Sequence, residues 1–468
     1  MIKYISTRGE APILNFSNAV MTGLARDGGL YLPEEYPVFS PQKIRALRGK
    51  SYSEIAKEIL WPFVKGEIDR IIFENMIDEA YSTFSHKATC PLVQIGPNEF
   101  VLELFHGPTL AFKDIAMQLL SRLMQHILKQ NKQHATIVGA TSGDTGGAAI
   151  EAFRHANATD VFILFPKGRV SPRQQKQMTS HEEKNIHALA IEGNFDDCQA
   201  LVKQLFNDHT FRDKINLSGV NSINWARIMA QIVYYFSAAI ALGAPDRAVS
   251  FTVPTGNFGD IFAGFVASRM GLPIAKLVIA TNDNDILVRT LNSHIYQIQS
   301  LIATSSPSMD IQVSSNFERL IFEANDRDPL IVRNAMECLR QSGQFTLSTK
   351  SLEKIKTIFS AGCATIPQTA ETIKQVFEEN QYLVDPHTAV AIKVAREHNQ
   401  TYIPMIVLST AHPAKFHEAV YNACTIEPAI PERLQKILNK EEKYTILPND
   451  IDKLKEHILK NISNTQSQ

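Results

Sequence analysis

The chain lacks most features that would commit it to a special environment. It has only five cysteines, Cys90, Cys198, Cys338, Cys363 and Cys424, an odd number without CxxC or CxxH pairing, which excludes a disulfide framework and a structural zinc site. None of its 14 histidines stands in an HExxH pattern, so a zinc hydrolase is excluded as well. Excess charge is missing: 47 basic against 48 acidic residues leave a formal net charge of -1. No global field then favours nucleic acid or an anionic membrane surface, and any anion site must be local. The longest apolar stretch, residues 228–244, is broken by Gln231 and preceded by Arg227, too short and polar to span a bilayer, and reads as a buried core helix. The first residues reach Arg8, Gly9 and Glu10 before any apolar run, which is not a secretory pattern, so a cytoplasmic location is expected. Fixed-period repeats are absent.

What is present is ordinary globular material: 468 residues, 44% hydrophobic, 20% charged and 8% aromatic, enough for about three domain-sized units or two large ones. Residues 1–95 read as an N-terminal region, with helical patterns at 52–63 and 67–81 and a glycine-rich stretch, Asp27-Gly28-Gly29-Leu30-Tyr31-Leu32-Pro33. Within 96–440, short aliphatic runs at 100–105, 135–140, 161–165, 249–254, 276–280 and 403–409 alternate with helical periods at 114–128, 147–155, 196–206, 225–242, 261–270 and 388–398. This alternation predicts an α/β fold with mostly parallel sheet covered by helices on both faces. Residues 290–380 read as helical elaboration, with helices near 316–324 and 369–379, and 441–468 as a C-terminal helix with a polar tail at 461–468.

Ligands of open parallel sheets sit at the carboxyl ends of strands. Four expected strand ends run into small polar residues: His106 to Asp114, Thr141 to Gly147, Thr255 to Asp260, and Ser409 to Lys415. Thr255-Gly256-Asn257-Phe258-Gly259-Asp260 sets two glycines three apart before a helix start, a backbone cradle for phosphate or a plain turn. It lacks the Lys-Ser/Thr of a nucleotide P-loop and the spacing of a dinucleotide fingerprint. Thr141-Ser142-Gly143-Asp144-Thr145 suits a carboxylate at a helix start, or simple capping by Ser142 or Asp144. Lys113, after Leu110-Ala111-Phe112, is either a surface lysine or a desolvated amine suited to Schiff-base chemistry.

These segments, together with Tyr4-Ile5-Ser6-Thr7-Arg8-Gly9, the stretch from Asp27 to Glu34 and Asn221-Ser222-Ile223-Asn224-Trp225-Ala226-Arg227, make the chain resemble the threonine synthase family, bacterial and fungal type, within the tryptophan-synthase-β-like pyridoxal phosphate enzymes. The resemblance implies fold type II, two lobes (the smaller at about 110–220) and pyridoxal 5'-phosphate held by Lys113. It further implies that Gly256, Asn257, Phe258 and Gly259 bind the cofactor phosphate and that the hydroxyl of Thr410 faces the ring nitrogen. Thr141, Ser142, Asp144 and Thr145 match a segment that related enzymes use for the substrate carboxylate and the ring side of the cofactor, where many carry Asn in place of Asp144. The implied reaction converts O-phospho-L-homoserine and water to L-threonine and phosphate. Lys113 would remove the α-proton, a second deprotonation at Cβ would expel phosphate, and water would add at Cβ.

The substrate phosphate needs a second anion site. Arg227, in the first turn of an apolar helix, is the first choice, with a structural salt bridge as the alternative. Lys167 and Arg169 come next, and Arg173, Lys176, Lys415, Ser85 and Lys87 are further candidates. Competing readings are a serine/threonine dehydratase sharing the lysine and glycine loop, and a non-catalytic phospho-ligand-binding protein. Asp385-Pro386-His387 reads as a helix start. A small-molecule substrate, no nucleic acid or membrane partner, and a monomer or homodimer are expected.

Overall fold

The computed structural model describes residues 1–462; residues 463–468, most of the expected polar tail, lie outside the described residues. Among the described residues the strands are β1 (Tyr4–Ser6), β2 (Tyr31–Pro33), β3 (Leu92–Gln94), β4 (Glu99–Glu103), β5 (Ala135–Ala140), β6 (Thr159–Pro166), β7 (Ile186–Glu192), β8 (Leu217–Ser218), β9 (Val249–Pro254), β10 (Ile274–Thr281), β11 (Ile295–Gln297), β12 (Gln344–Thr346), β13 (Phe359–Cys363), β14 (Met405–Ser409) and β15 (Thr445–Pro448). Six form one sheet in the order β13-β10-β9-β14-β4-β3, parallel except where β3 meets β4. Five form a second, wholly parallel sheet in the order β15-β7-β6-β5-β8. Both are the doubly covered kind: β6 and β9 are buried at every position, as strands with helices on each face must be.

The six expected strands all form, each with ends within two residues of the expected bounds. Those missed are β13, made of small residues after Phe359, β7, where Ile186, Leu189 and Ile191 are interspersed with His187 and two alanines, and the short β1, β2, β3, β8, β11, β12 and β15. Residues 290–380 are therefore not only helical: β13 extends the larger sheet and β11 pairs with β12. After residue 441 the chain first adds β15 to the edge of the second sheet, and only then forms the helix Ile451–Asn461.

The apolar stretch near 228–244 lies in the central helix Trp225–Ala241, buried at every position but Ser237 and Ala241. Apolar on all sides, it has partners all round: the helices Tyr52–Val64, Lys113–Asn131 and Gly259–Arg269. The N-terminal region docks on the same helix through the rings of Tyr4 and Phe63, whose centroids lie 6.2 and 5.9 Å from that of Trp225. Fully buried Arg319 ties the region down further, donating to the Tyr31 and Ile223 carbonyls, each at 2.6 Å.

Helix contact with the larger sheet requires a glycine. A Cβ on Gly264 would stand 2.7 Å from Tyr235 Cε1 and 2.9 Å from Leu277 Cδ2. The Tyr235 hydroxyl is held by Asp260 at 2.9 Å, so its ring has little room to retreat. Gly264→Ala is expected to destabilise the protein by about 1–3 kcal/mol, read as a lowered calorimetric unfolding temperature; an unchanged temperature would show that the ring yields freely.

Candidate active site

The carboxyl ends of β4, β5, β9 and β14 open onto one cavity of ≈ 1180 Å³, lined among others by Lys113, Thr141, Ser142, Asp144, Thr145, Arg227, Gly256, Asn257, Phe258, Gly259 and Thr410. The two sheets meet the cavity from different lobes, β5 from the smaller and the other three from the larger. The loop carrying Lys113 is fastened to the Thr410 loop by an antiparallel bridge between Ala111 and Ala411 and by Phe112 N–H donating to Thr410 O at 2.8 Å. Leu110 takes a left-handed φ of +60° in this turn, and Phe258 a φ of +64° across the cavity. Such conformations cost non-glycine residues about 1–3 kcal/mol each and persist only where the surroundings enforce them.

Lys113 is the first residue of the helix Lys113–Asn131, and its side chain is 11% exposed, with Nζ 5.0 Å from the Phe112 ring centroid. Desolvation lowers its proton affinity to about 8, against the opposing pull of Asp144, whose Oδ2 lies 3.9 Å away. Asp144 is itself buried and accepts from Lys415 Nζ at 2.7 Å and from Gln174 Nε2 at 2.9 Å. Burial pushes the Asp144 carboxyl up, but Lys415 and Lys113 outweigh it and hold the group well below the usual carboxylate range.

Among the helices that start at the cavity without a side-chain bond from the N-cap residue are Gly259–Arg269 and Asp144–Phe153. At the first, the carbonyls of Gly256 and Asn257 are engaged by Ser314 Oγ at 2.7 Å and Asn316 Nδ2 at 2.9 Å. The loop packs so closely that a Cβ on Gly256 would stand 2.7 Å from Ser308 O. This is a backbone anion cradle, since the first amides of a helix have no intrahelical acceptor. At the second, neither Ser142 nor Asp144 caps; instead Thr141 Oγ1 accepts from Gly143 N–H at 3.0 Å and Gly146 N–H at 2.9 Å. Ser142 and Thr145 line the cavity beside it.

Arg227 stands between these features, 2% exposed. One nitrogen donates to Val220 O at 3.0 Å, Nε has no partner, and the guanidinium makes no ion pair among the described residues. The structural salt bridge is thus not what holds Arg227; burial lowers its proton affinity to about 10, leaving a cation in want of an anion.

Lys167 and Arg169 are not brought to the cavity, contrary to expectation. The turn after β6 follows the neighbouring strand, Lys167 N–H donating to Ile191 O, so both side chains are exposed and Lys167 pairs with Glu192 at 3.2 Å. Arg173 is held by Ala414 O, and Lys176 by Lys440 O; Ser85 and Lys87 are also off the lining. Missed by the sequence reading is His387, which lines the cavity in addition to following the helix cap Asp385, its Nδ1 2.6 Å from Asp385 Oδ2. Buried Asp260, bonded by Tyr234 and Tyr235 and pushed to about 6 by burial, was quoted only as a loop end. Arg8, Asp27 and Gly28 of the N-terminal region also line the cavity, as does the turn Pro307–Met309. Nothing local in the sequence marks these two segments as neighbours of Lys113.

A desolvated lysine amine, a separate backbone phosphate cradle and the buried Thr410 fit pyridoxal phosphate, and together with two mostly parallel sheets they define a pyridoxal-phosphate-dependent enzyme of fold type II; residues 91–345 match the pyridoxal-phosphate dependent enzyme family. Residues 3–81 match the family described as threonine synthase N terminus, and 388–458 that described as threonine synthase, C-terminal. A threonine synthase of Pseudomonas aeruginosa is 49% identical over 455 residues, 97% of each chain. The structure of a PLP-bound threonine synthase from Brucella melitensis superposes with a TM-score of 0.96 at 62% identity, covering 98% of this chain and 99% of that one. The yeast threonine synthase structure gives 0.93 at 39% identity over 98% of both. The chain belongs to the threonine synthase family.

As the expected carrier, Lys113 has to present its neutral amine for attachment of pyridoxal phosphate. The rate at which cofactor-free protein captures it is expected to climb with pH through a midpoint near 8, followed by visible absorbance. A midpoint near that of a free lysine would show that burial is not acting on this amine. Lys113→Ala is expected to keep the fold by circular dichroism yet show no borohydride-bleachable band.

Proposed function

We propose that this cavity converts O-phospho-L-homoserine and water to L-threonine and phosphate. The observation that carries the proposal is the second anion site: Arg227 lies buried and without a carboxylate in the cavity that Lys113 and the Gly256–Gly259 loop also line. A substrate bearing both a carboxylate and a phosphate matches the first amides of the helix at Asp144, beyond the Gly146 N–H that Thr141 Oγ1 already takes, and the guanidinium of Arg227.

Lys113 and the amides of Gly256, Asn257, Phe258 and Gly259 would hold pyridoxal phosphate, with the Thr410 hydroxyl available to its ring, and when bound the group would supply a conjugated system able to take up the charge left when a proton leaves Cα. Lys113, whose proton affinity lies at about 8, is suited to take the α-proton and to exchange further protons at Cβ and Cγ. Thr141, Ser142 and Thr145 orient the substrate carboxylate, and Asp144 keeps their loop attached to Gln174 and Lys415. Arg227 draws the departing phosphate away from Cγ, and its guanidinium presents planar paired donors suited to that group. Water is admitted for the addition at Cβ only after the phosphate has gone.

A cytoplasmic enzyme working on a free small molecule, as monomer or homodimer and without nucleic acid, agrees with the near-neutral charge and with the finding that no described helix is long and apolar enough to cross a membrane.

The experiment is a phosphate-release assay with O-phospho-L-homoserine, with L-threonine and L-serine as controls. Threonine and phosphate formed together support the proposal; an oxoacid from threonine or serine, with no phosphate release, would move the activity to a dehydratase. Arg227→Ala is expected to raise KM for O-phospho-L-homoserine about 10–100-fold while leaving cofactor affinity nearly unchanged. Equal loss of both would make Arg227 structural.

A further inference from the structure

Lys415 has no part in the chemistry described so far, yet it is one of the most completely buried charged groups in the protein, its side chain 1% exposed. It enters on the short turn Pro413–Phe416 and spends two donors inside, on Thr109 O at 2.7 Å and Asp144 Oδ1 at 2.7 Å. The other oxygen of the same carboxylate is the one that lies 3.9 Å from Lys113 Nζ. One buried carboxylate therefore stands between two lysines, hydrogen-bonded to one and only near the other.

A lone carboxylate at that separation would favour the ammonium form of Lys113 and withdraw it from proton transfer. The remaining charges facing Lys113 are Arg227 and Lys415 itself, which oppose a proton, and Asp260, which favours one. Around Lys415 the facing groups are Asp144, Asp114 and His412. Asp114 is already engaged by the amide and hydroxyl of Thr109, at 2.8 and 2.7 Å. Asp144 is thus the only carboxylate bonded to Lys415 among the described residues.

We propose that Lys415 is a positioning residue for catalysis: by occupying Asp144 it stops that carboxylate from trapping Lys113 as an ammonium, so that the amine remains free to exchange protons. Asp144 in turn anchors the 141–145 loop without costing the site its base. The proposal rests on Lys113 being the cofactor-bearing lysine.

The test follows capture of pyridoxal phosphate by the full-length protein, stripped of cofactor, as a function of pH. Lys415→Met is expected to move the midpoint of the capture rate upward by about one pH unit or more, and Asp144→Asn to move it downward. The double variant and Lys415→Arg should both lie near the wild type, because the first removes both charges and the second keeps them. A Lys415→Met midpoint that stays in place, in a variant with native circular dichroism, overturns the proposal. Where Lys415→Met does not fold, Asp144→Asn decides, and a midpoint that does not fall overturns it. Failure of the underlying assignment looks different: Lys113→Ala would still form the borohydride-sensitive band.

Discussion

The site depends on lowering the proton affinity of one lysine amine in a place crowded with charge. Burial supplies most of the effect, since an ammonium loses its hydration when the helix Lys113–Asn131 starts inside the cavity instead of at the surface. Desolvation alone is a blunt device, and Asp144 nearby works against it. The arrangement stays functional because Asp144 is bonded to Lys415 and Gln174 and is only a neighbour of Lys113. Much of the local structure serves that placement, from the bridge joining Ala111 and Ala411 to the left-handed turn at Leu110.

Anions are handled by a different means. The chain as a whole is close to electrically neutral, so affinity for phosphate has to be generated locally. The helix starts at Gly259 and Asp144, without a side-chain bond from the N-cap residue, offer backbone amides, and one buried arginine provides a full charge. Amides hold an anion without adding a net charge that would further disturb Lys113, while Arg227 adds a full charge with no carboxylate paired to it among the described residues. The three sites come from different elements and can engage a cofactor phosphate, a carboxylate and a second phosphate at the same time.

The N-terminal region belongs to this site as much as to the fold. Thr7 and Arg8 both bond Glu318, and Arg319 next to it bonds Tyr31 O and Ile223 O, so the start of the chain, the cavity wall and the loop before Arg227 are tied together. Through Asn316, adjacent to the same helix Phe317–Ala324, the network reaches the carbonyl of Asn257 in the phosphate cradle. A disturbance near Arg8 has a continuous path of hydrogen bonds to the cofactor site.

Much of the fold was legible in the sequence because parallel strands covered on both faces carry long apolar runs, and β5 and β9 end where those runs end. β13 was not, because the small residues after Phe359 carry little apolar signal and acquire their strand geometry from the β10 strand they pair with, and in β7 His187 and two alanines interrupt the apolar run. In the site, Lys113, Gly256 to Gly259, Asp144 and Thr410 were legible since each sits in a strand-to-helix loop, where spacing in the chain sets spacing in the site. The amino-acid sequence by itself determined the class of elements and the strand-end loops that carry Lys113 and Gly256 to Gly259. Tertiary structure alone decided that Arg227 would be unpaired while Lys167 and Arg169 faced water, and that Lys415 would meet Asp144, residues 271 apart in the chain. The reason is physical: a charged side chain reads the same in any sequence, and only the packing around it determines whether it is solvated, paired or left to bind a ligand.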